Sequence, residues 1–210
     1  MNKTILDLCG GTGSWSKPYK EAGYDVRLIT LPKQDVRDYI PPENVYGILA
    51  APPCDHFAVS GARWFKQKDA AGTTKEALNI VDACLNIISK THPIFWALEN
   101  PVGRLRKLRR HILGEPRLIF NPCDYGDPWT KKTLLWGVFN LPIKNPIKGD
   151  KFLPHTILSQ KVSKNQITKL IQCGYLPKNY QEVYGELRDR KTIRAITPQG
   201  FAKAFFEANQ

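Results

Sequence analysis

Two side chains capable of covalent and acid–base chemistry follow apolar stretches of this sequence. Cys54 comes directly after ILAAPP, whose two prolines restrict the backbone and remove two N–H donors. Glu99 ends the apolar segment IFWAL, where an ionised carboxylate would be costly to bury. A thiol beside a cleft suits a nucleophile, and a carboxyl group with a raised pKa suits proton donation near neutral pH. From these residues alone, an inert core cysteine and a helix-capping carboxylate remain the alternatives.

A glycine-rich turn precedes both of them in the chain. The segment DLCGGTGSW (residues 7–15) carries three glycines between a predicted strand and a predicted helix. Glycine allows positive φ angles and close approach of a ligand to the backbone. The dinucleotide pattern G-x-G-x-x-G and the P-loop lysine are both missing, which favours a smaller adenosine-containing ligand. A plain tight turn is the alternative interpretation.

The elements that must position these residues alternate along the chain. Apolar runs predict strands over residues 3–8, 24–31, 45–50, 93–100, 116–120 and 132–137. A 3.6-residue period predicts a helix over residues 73–92, begun by a capping box of Thr73 and Glu76, and further helices over residues 163–173 and after Pro198. The alternation is typical of an α/β fold with a doubly wound, mostly parallel sheet. Because ligands bind beyond the carboxyl ends of such strands, we expect one site there.

The charge of the chain favours a polyanionic partner. The 210 residues include 31 Lys or Arg and 19 Asp or Glu, which gives a net charge of +12 at pH 7. The segment GRLRKLRRH (residues 103–111) concentrates basic residues just after Glu99. We expect Leu105, Leu108 and Ile112 to face inward, and a solvated helix face is the alternative to a nucleic-acid contact. The candidate phosphate contacts are Arg104, Arg106, Lys107, Arg109 and Arg110.

The cysteines and the apolar runs bear on location and metal binding. Five scattered cysteines, without CxxC or a histidine at metal spacing, predict free thiols and no metal site. No apolar run approaches the ~20 residues that a membrane span requires. The N-terminus has a strand pattern rather than a signal peptide. We expect a cytoplasmic monomer with no membrane partner.

Together and in this order, the motifs resemble those of S-adenosylmethionine-dependent cytosine-5 DNA methyltransferases. DLCGGTG resembles the first motif of that family, APPCDHF its Pro-Cys motif and LENP its Glu-Asn motif. The segment YGDPWTKKTLLWG (residues 125–137) lies where the family has Gln-x-Arg-x-Arg, with Lys131 at the first arginine. The resemblance covers most of the first 140 residues, and RAITPQGFAKAFFEAN resembles the closing segment of short, phage-type members.

The resemblance implies a division of the chain and a cofactor. It implies a Rossmann-like catalytic core over residues 1–139, a small recognition or lid region over 140–190 and a C-terminal helix over 191–210 that returns to the core. S-adenosylmethionine would be the cofactor, although Thr30 stands where the family has an acidic residue after the second strand. The implied cofactor contacts are Asp7, Cys9, Gly10, Gly11, Thr12, Gly13, Trp15, Asp35 and Pro52.

The resemblance also implies catalytic roles. The Cys54 thiolate would attack C6 of cytosine, Glu99 would hold and protonate N3, and Lys131 would supply the nearby positive charge. The base would leave the duplex stack or come from a single strand, and Ser60 would join the basic residues as a DNA contact. The region available for recognition is small, which predicts a short or loose target sequence.

Three other functions fit the same motifs. The first is a cytosine-5 methyltransferase that acts on RNA, such as tRNA. The second is a catalytically silent DNA-binding homologue, against which the presence of both Cys54 and Glu99 argues. The third is methylation of a free nucleotide, which the net charge of +12 disfavours.

Overall fold

A six-stranded mixed sheet forms the centre of the protein. The computed structural model describes residues 3–127, 130–146 and 196–210. Four strands are parallel neighbours in the order β2-β1-β3-β4, and β6 pairs antiparallel with both β4 and β5 at one side. The prediction of an α/β fold with a mostly parallel, Rossmann-like sheet is confirmed. The strands are β1 (Thr4–Leu8), β2 (Asp25–Ile29), β3 (Gly47–Ala50), β4 (Phe95–Pro101), β5 (Leu118–Phe120) and β6 (Thr133–Val138).

Helices cover both faces of this sheet. The α-helices within the described residues are α1 (Lys17–Glu21), α2 (Phe65–Ala70), α3 (Thr73–Thr91), α4 (Leu105–Leu108), α5 (Arg110–Leu113) and α6 (Gln199–Ala208). Short 3-10 helices lie at Val36–Asp38, Val59–Trp64 and Pro122–Tyr125. None of the helices in the described part of the chain is long and apolar enough to cross a membrane.

Alternating side chains along the strands form two separate cores. Leu6 and Ile48 lie with the apolar side of α3 on one face of the sheet. Their neighbours Ile5 and Leu49 lie with the aromatic residues of α1 and α6 on the other face. This alternation follows from the two-residue period of a strand that is buried on both sides. Loops follow the carboxyl ends of the parallel strands β1 and β3.

Two local sequence predictions were wrong. The helix α3 does not begin with a capping box at Thr73, because Gly72 is the N-cap with a φ of 74° and Thr73 is the first helical residue. Ile112 is 54% exposed, whereas its neighbour Leu113 is buried. The backbone of Arg109, with a φ of −126°, interrupts the helix between α4 and α5. As a result, Leu113 rather than Ile112 faces the core.

The C-terminal helix α6 docks on the aromatic core. The ring of Phe201 stacks on that of Phe120 at a centroid distance of 4.0 Å, and Trp15 meets Phe205 edge-on. The buried carboxylate of Asp127 accepts hydrogen bonds from the backbone N–H groups of Gly200 and Phe201 at the start of α6. Most of the predicted region 140–190 lies outside the described residues, and so does all of the predicted helix 163–173. The division of the chain into regions therefore stays a prediction.

We predict that Phe201→Ala lowers the free energy of unfolding by about 3–5 kcal/mol, because the substitution leaves a cavity in a fully packed core. Urea denaturation monitored by circular dichroism measures this change. Lys203→Ala on the exposed side of the same helix is the control and should change stability by less than about 0.5 kcal/mol. Equal effects of the two substitutions would show that α6 is not part of the stable core.

Candidate active site

The loop after β1 has a backbone shape that favours glycine. Gly11 and Gly13 have φ angles of 56° and 71°, and Cys9 shares this left-handed region at 58°. The N–H of Gly13 donates to the carbonyl of Gly10, which closes a tight turn. A Cβ atom on Gly10 would collide with the Asp7 carboxylate. The loop therefore presents bare backbone at the carboxyl end of β1.

Asp7 and Trp15 lie beneath this loop rather than on its surface. The Asp7 carboxylate is fully buried and accepts a hydrogen bond of 2.5 Å from the Ser16 hydroxyl. Burial raises the pKa of Asp7 to about 6, and the bonds from Ser16 oppose the rise. Trp15 is 1% exposed and belongs to the aromatic core. The Asp7 carboxylate thus packs against Gly10 from inside the protein, whereas Trp15 lies in the aromatic core.

Asp35 follows β2 and is engaged with a neighbour. Its carboxylate caps the 3-10 helix Val36–Asp38 by accepting from the Arg37 N–H, and it also pairs with the Arg37 guanidinium at 2.5 Å. The guanidinium and the backbone N–H of Arg37 hold the pKa of Asp35 below its ordinary value. Thr30 follows the last residue of β2, so this strand ends without a carboxylate.

The segment after β3 turns sharply at Cys54. The Cys54 carbonyl accepts hydrogen bonds from the N–H groups of Phe57 and Ala58 at 2.9 and 2.8 Å. Pro52 is buried at the strand end, and its carbonyl accepts a hydrogen bond of 3.1 Å from the side-chain amide of Asn100. Asn100 belongs to β4, so this bond ties the ends of two adjacent parallel strands together.

Glu99 and Lys131 share an electrostatic environment with Cys54. Ala50, the last residue of β3, pairs with Leu98, so Glu99 lies one residue beyond that pair. The Lys131 ammonium lies 3.9 Å from the Glu99 carboxylate. Burial raises the pKa of Glu99, and the Lys131 charge opposes that rise. The pKa of the Cys54 thiol is raised by burial and by Glu99, and lowered by Lys131.

The predicted DNA contacts have very different surroundings. The guanidinium of Arg109 pairs with Asp82 on α3 through two hydrogen bonds of 2.7 and 2.6 Å, and its side chain is 18% exposed. Arg104 is similarly covered, at 15%. Neither faces outward as the sequence suggested. Arg106 and Arg110 are exposed and both pair with Glu115, while Lys107 and Ser60 lie at the surface.

The contacts of three residues were missed by the sequence analysis. Asn100 joins the strand ends, Ser16 holds Asp7, and Arg104 binds protein groups instead of solvent. The asparagine next to Glu99 was a visible signal because a polar side chain in a buried strand needs a partner. No sequence signal indicates the partners of Ser16 or Arg104, since they come from the fold.

The strand order and the loops at the strand ends define a Rossmann-like α/β protein. No protein-family model matches the chain. The sequence is 27% identical over 207 residues to the type II methyltransferase M.DdeI of Desulfomicrobium norvegicum. The match covers 79% of this chain and 46% of that protein, so the chain spans about half the length of the curated relative it matches.

Two solved structures are similar to the chain at lower identity. One is a protein described as a DNA modification methyltransferase encoded within a prophage of E. coli, with a TM-score of 0.44 and 16% identity over 78% of this chain and 56% of that one. The other is the methyltransferase EhMeth of Entamoeba histolytica, with a TM-score of 0.40 and 14% identity over 81% of this chain and 66% of that one. The fold assignment rests on the strand order of this chain, since both TM-scores are below 0.5.

We predict that Lys131→Met slows alkylation of Cys54 by iodoacetamide at pH 8, because loss of the ammonium raises the thiol pKa and only the thiolate reacts. Glu99→Gln should have the opposite effect, since it removes a negative charge next to the thiol. Mass spectrometry of the Cys54 peptide over a pH series measures both.

Lys132→Met is the matched control for the lysine substitution. Lys132 is the next residue along the chain, is exposed and carries the same charge, but it does not influence the Cys54 pKa. Its alkylation profile should match that of the unsubstituted protein. A Lys131→Met profile equal to that of Lys132→Met would show that Lys131 does not act on the thiol.

Proposed function

We propose that this protein is an S-adenosylmethionine-dependent cytosine-5 DNA methyltransferase. One observation carries the proposal: the half-buried Cys54 thiol follows β3, the largely buried Glu99 carboxyl lies near the end of the adjacent parallel strand β4, and Glu99 raises the pKa of the thiol. Both groups lie at the carboxyl edge of the sheet, next to the glycine loop of β1. The likeness to a type II methyltransferase supports methyl transfer as the reaction class.

Cys54 would form the covalent bond to the base. Its thiolate adds to C6 of cytosine, and the electron pair of the C5–C6 double bond becomes available at C5. Since burial raises the pKa of the thiol, the Lys131 charge would favour formation of the thiolate. After transfer of the methyl group, loss of the C5 proton restores the double bond and expels the thiolate.

Glu99 would act at N3 of the same ring. Burial raises the pKa of its carboxyl group, which favours the protonated form that would donate to N3. Lys131, 3.9 Å from that carboxylate, would limit the rise and balance the charge left after proton transfer. The hydrogen bond from Asn100 to Pro52 would keep the acid and the thiol in register.

The loop after β1 fits an adenosine-containing cofactor. The positive φ angles of Gly11 and Gly13 leave bare backbone exposed, and the buried hydroxyl of Thr12 has no hydrogen-bond partner within the described residues. Cys9, Gly10 and Pro52 complete the set that would line the cofactor. S-adenosylmethionine, when bound, would supply the methyl group. Asp35 would reach its adenine only by sharing or leaving its contact with Arg37.

The exposed basic residues would contact the nucleic-acid backbone. Arg106, Lys107 and Arg110 remain at the surface beside the site, and phosphates would replace Glu115 as the partner of the two arginines. Such contacts give affinity without reading bases, which agrees with a short or loose target sequence.

The test is incubation with labelled S-adenosylmethionine and, separately, duplex DNA, single-stranded DNA, tRNA and dCMP. We expect label at C5 of cytosine in DNA, and covalent trapping of DNA that carries 5-fluorocytosine, because fluorine cannot leave as the proton does. Cys54→Ser should abolish both results, whereas Cys123→Ser, at a half-buried thiol outside the site, is the control. Label in tRNA alone would favour the RNA enzyme, and turnover by Cys54→Ser would contradict the proposed nucleophile.

A second prediction separates the cofactor loop from general stability. Gly11→Ala and Gly23→Ala both place a side chain at positive φ, and in both cases the added Cβ meets no atom within 4 Å. The backbone strain is therefore comparable, roughly 1–2 kcal/mol. Only Gly11→Ala should weaken binding of S-adenosylhomocysteine in calorimetry, by about tenfold or more, because its Cβ stands where the ligand approaches. Equal affinity of the two variants would exclude the loop as the cofactor site.

A further inference from the structure

Arg104 makes four contacts that join the turn after β4 to residues 55–70 and to α3. Its Nε donates to the carbonyl of His56 at 2.8 Å, and its two terminal nitrogens donate to the Asp69 carboxylate at 2.7 Å and the Thr74 hydroxyl at 2.8 Å. Its guanidinium also lies 3.8 Å from the centre of the Phe65 ring. Every nitrogen of the guanidinium thus has a partner in the protein, and the side chain is 15% exposed.

Three of these partners belong to the segment that follows Cys54. Residues 55–70 run from the Cys54 turn through the 3-10 helix Val59–Trp64 to α2, and include His56, Phe65 and Asp69. Phe57 and Ala58 are the only buried residues of this segment, so its own core contacts are few. Asp69 is exposed and its carboxylate has a pKa held below the ordinary value by Arg104 and Thr74.

The backbone next to Arg104 reinforces the same attachment. The Arg104 N–H donates to the Phe57 carbonyl at 2.9 Å, and the Val59 N–H donates to the Val102 carbonyl at 3.0 Å. Gly103 forms a bridge with Ala58 and approaches so closely that a Cβ there would collide with the Phe57 carbonyl. Phe57 and Ala58 both donate to the Cys54 carbonyl. The contacts that hold these two residues therefore also hold the turn that contains Cys54.

We propose that Arg104 is a positioning residue that holds residues 55–70 against the turn after β4 and thereby holds Cys54 opposite Glu99. The inference rests on the proposed function, which assigns Cys54 as the nucleophile and Glu99 as the acid. Arg104 lies five residues after Glu99 in the chain. One short segment therefore contains both the acid and the residue that positions the nucleophile. Arg104 is then not a phosphate contact, because a phosphate would have to displace Asp69 and leave the His56 carbonyl without its donor.

The first test measures attachment of the segment without any substrate. Arg63, Lys66 and Lys68 are tryptic sites inside residues 55–70, and Lys203 on α6 is a distant reference site. Arg104→Gln should raise cleavage at the three sites relative to Lys203 by roughly tenfold or more, since the loss of charge-assisted hydrogen bonds increases local opening. Asp69→Asn should raise it less, because the bonds to His56 and Thr74 remain.

Arg117→Gln is the matched control. Arg117 also donates through Nε to a backbone carbonyl, that of Phe139, and lies over an aromatic ring, but it precedes β5, an edge strand that β6 separates from β4. Its cleavage ratio should equal that of the unsubstituted protein. A ratio for Arg104→Gln no higher than that of Arg117→Gln would overturn the proposal, and normalisation to Lys203 removes the effect of global unfolding.

The second test separates positioning from DNA binding. At saturating DNA, Arg104→Gln should lower the methyl-transfer rate by roughly tenfold or more, with DNA affinity and its salt slope unchanged, and Arg104→Lys should restore part of the rate. A phosphate contact would instead reduce the salt slope by about one and spare the saturated rate, which would overturn the proposal. If the unsubstituted protein methylates no nucleic acid, the proposed function fails and the digestion result alone decides the role of Arg104.

Discussion

The pairing of β3 with β4 is the constraint on which the candidate site depends. These parallel strands end side by side, and the hydrogen bond from the Asn100 amide to the Pro52 carbonyl continues their alignment two residues past the last backbone pair. Cys54 follows one strand and Glu99 lies in the other, so their separation is set by the register of the sheet. Rigid strands hold such a geometry better than loops do. The loop after β1 joins the same edge because β1 is the other neighbour of β3.

Burial gives the ionisable groups at this edge their properties. Asp7, Cys54 and Glu99 all have pKa values above the ordinary ones, and in each case loss of solvent is the largest cause. Burial therefore shifts the pKa values of the Cys54 thiol and the Glu99 carboxyl in the same direction, upward. Lys131 opposes the rise in pKa of both Cys54 and Glu99, so the charge of this one lysine affects the ionisation of both groups.

The basic segment after Glu99 divides between two tasks. Arg104 and Arg109 are largely covered and bind the carboxylates of Asp69 and Asp82, so they fasten this segment to α2 and α3. Arg106, Lys107 and Arg110 remain exposed and carry the positive charge that a polyanion would meet. A substitution of the whole cluster would therefore combine two different effects, loss of attachment and loss of surface charge.

The sequence by itself determined the class of fold and the chemistry at the strand ends. Apolar runs and helical periods identified the strands and α3, because hydrophobic burial leaves a local pattern in the chain. The residue types and spacing of DLCGGTG, PPC and LENP also pointed to one site, since carboxyl ends of parallel strands share an edge. These features depend on neighbours within a few positions.

Only the tertiary structure decided which polar side chains face inward and what they bind. The sequence suggested an outward Arg109 and an inward Ile112, but a break between α4 and α5 shifts the helical phase, and Asp82 lies 27 positions away in the chain. Trp15 and Asp7 belong to a cofactor-like motif, yet the docking of α6 and the Ser16 hydroxyl place them below the loop. Partners distant in the chain leave no periodic signal, because they meet only when the sheet and helices are assembled.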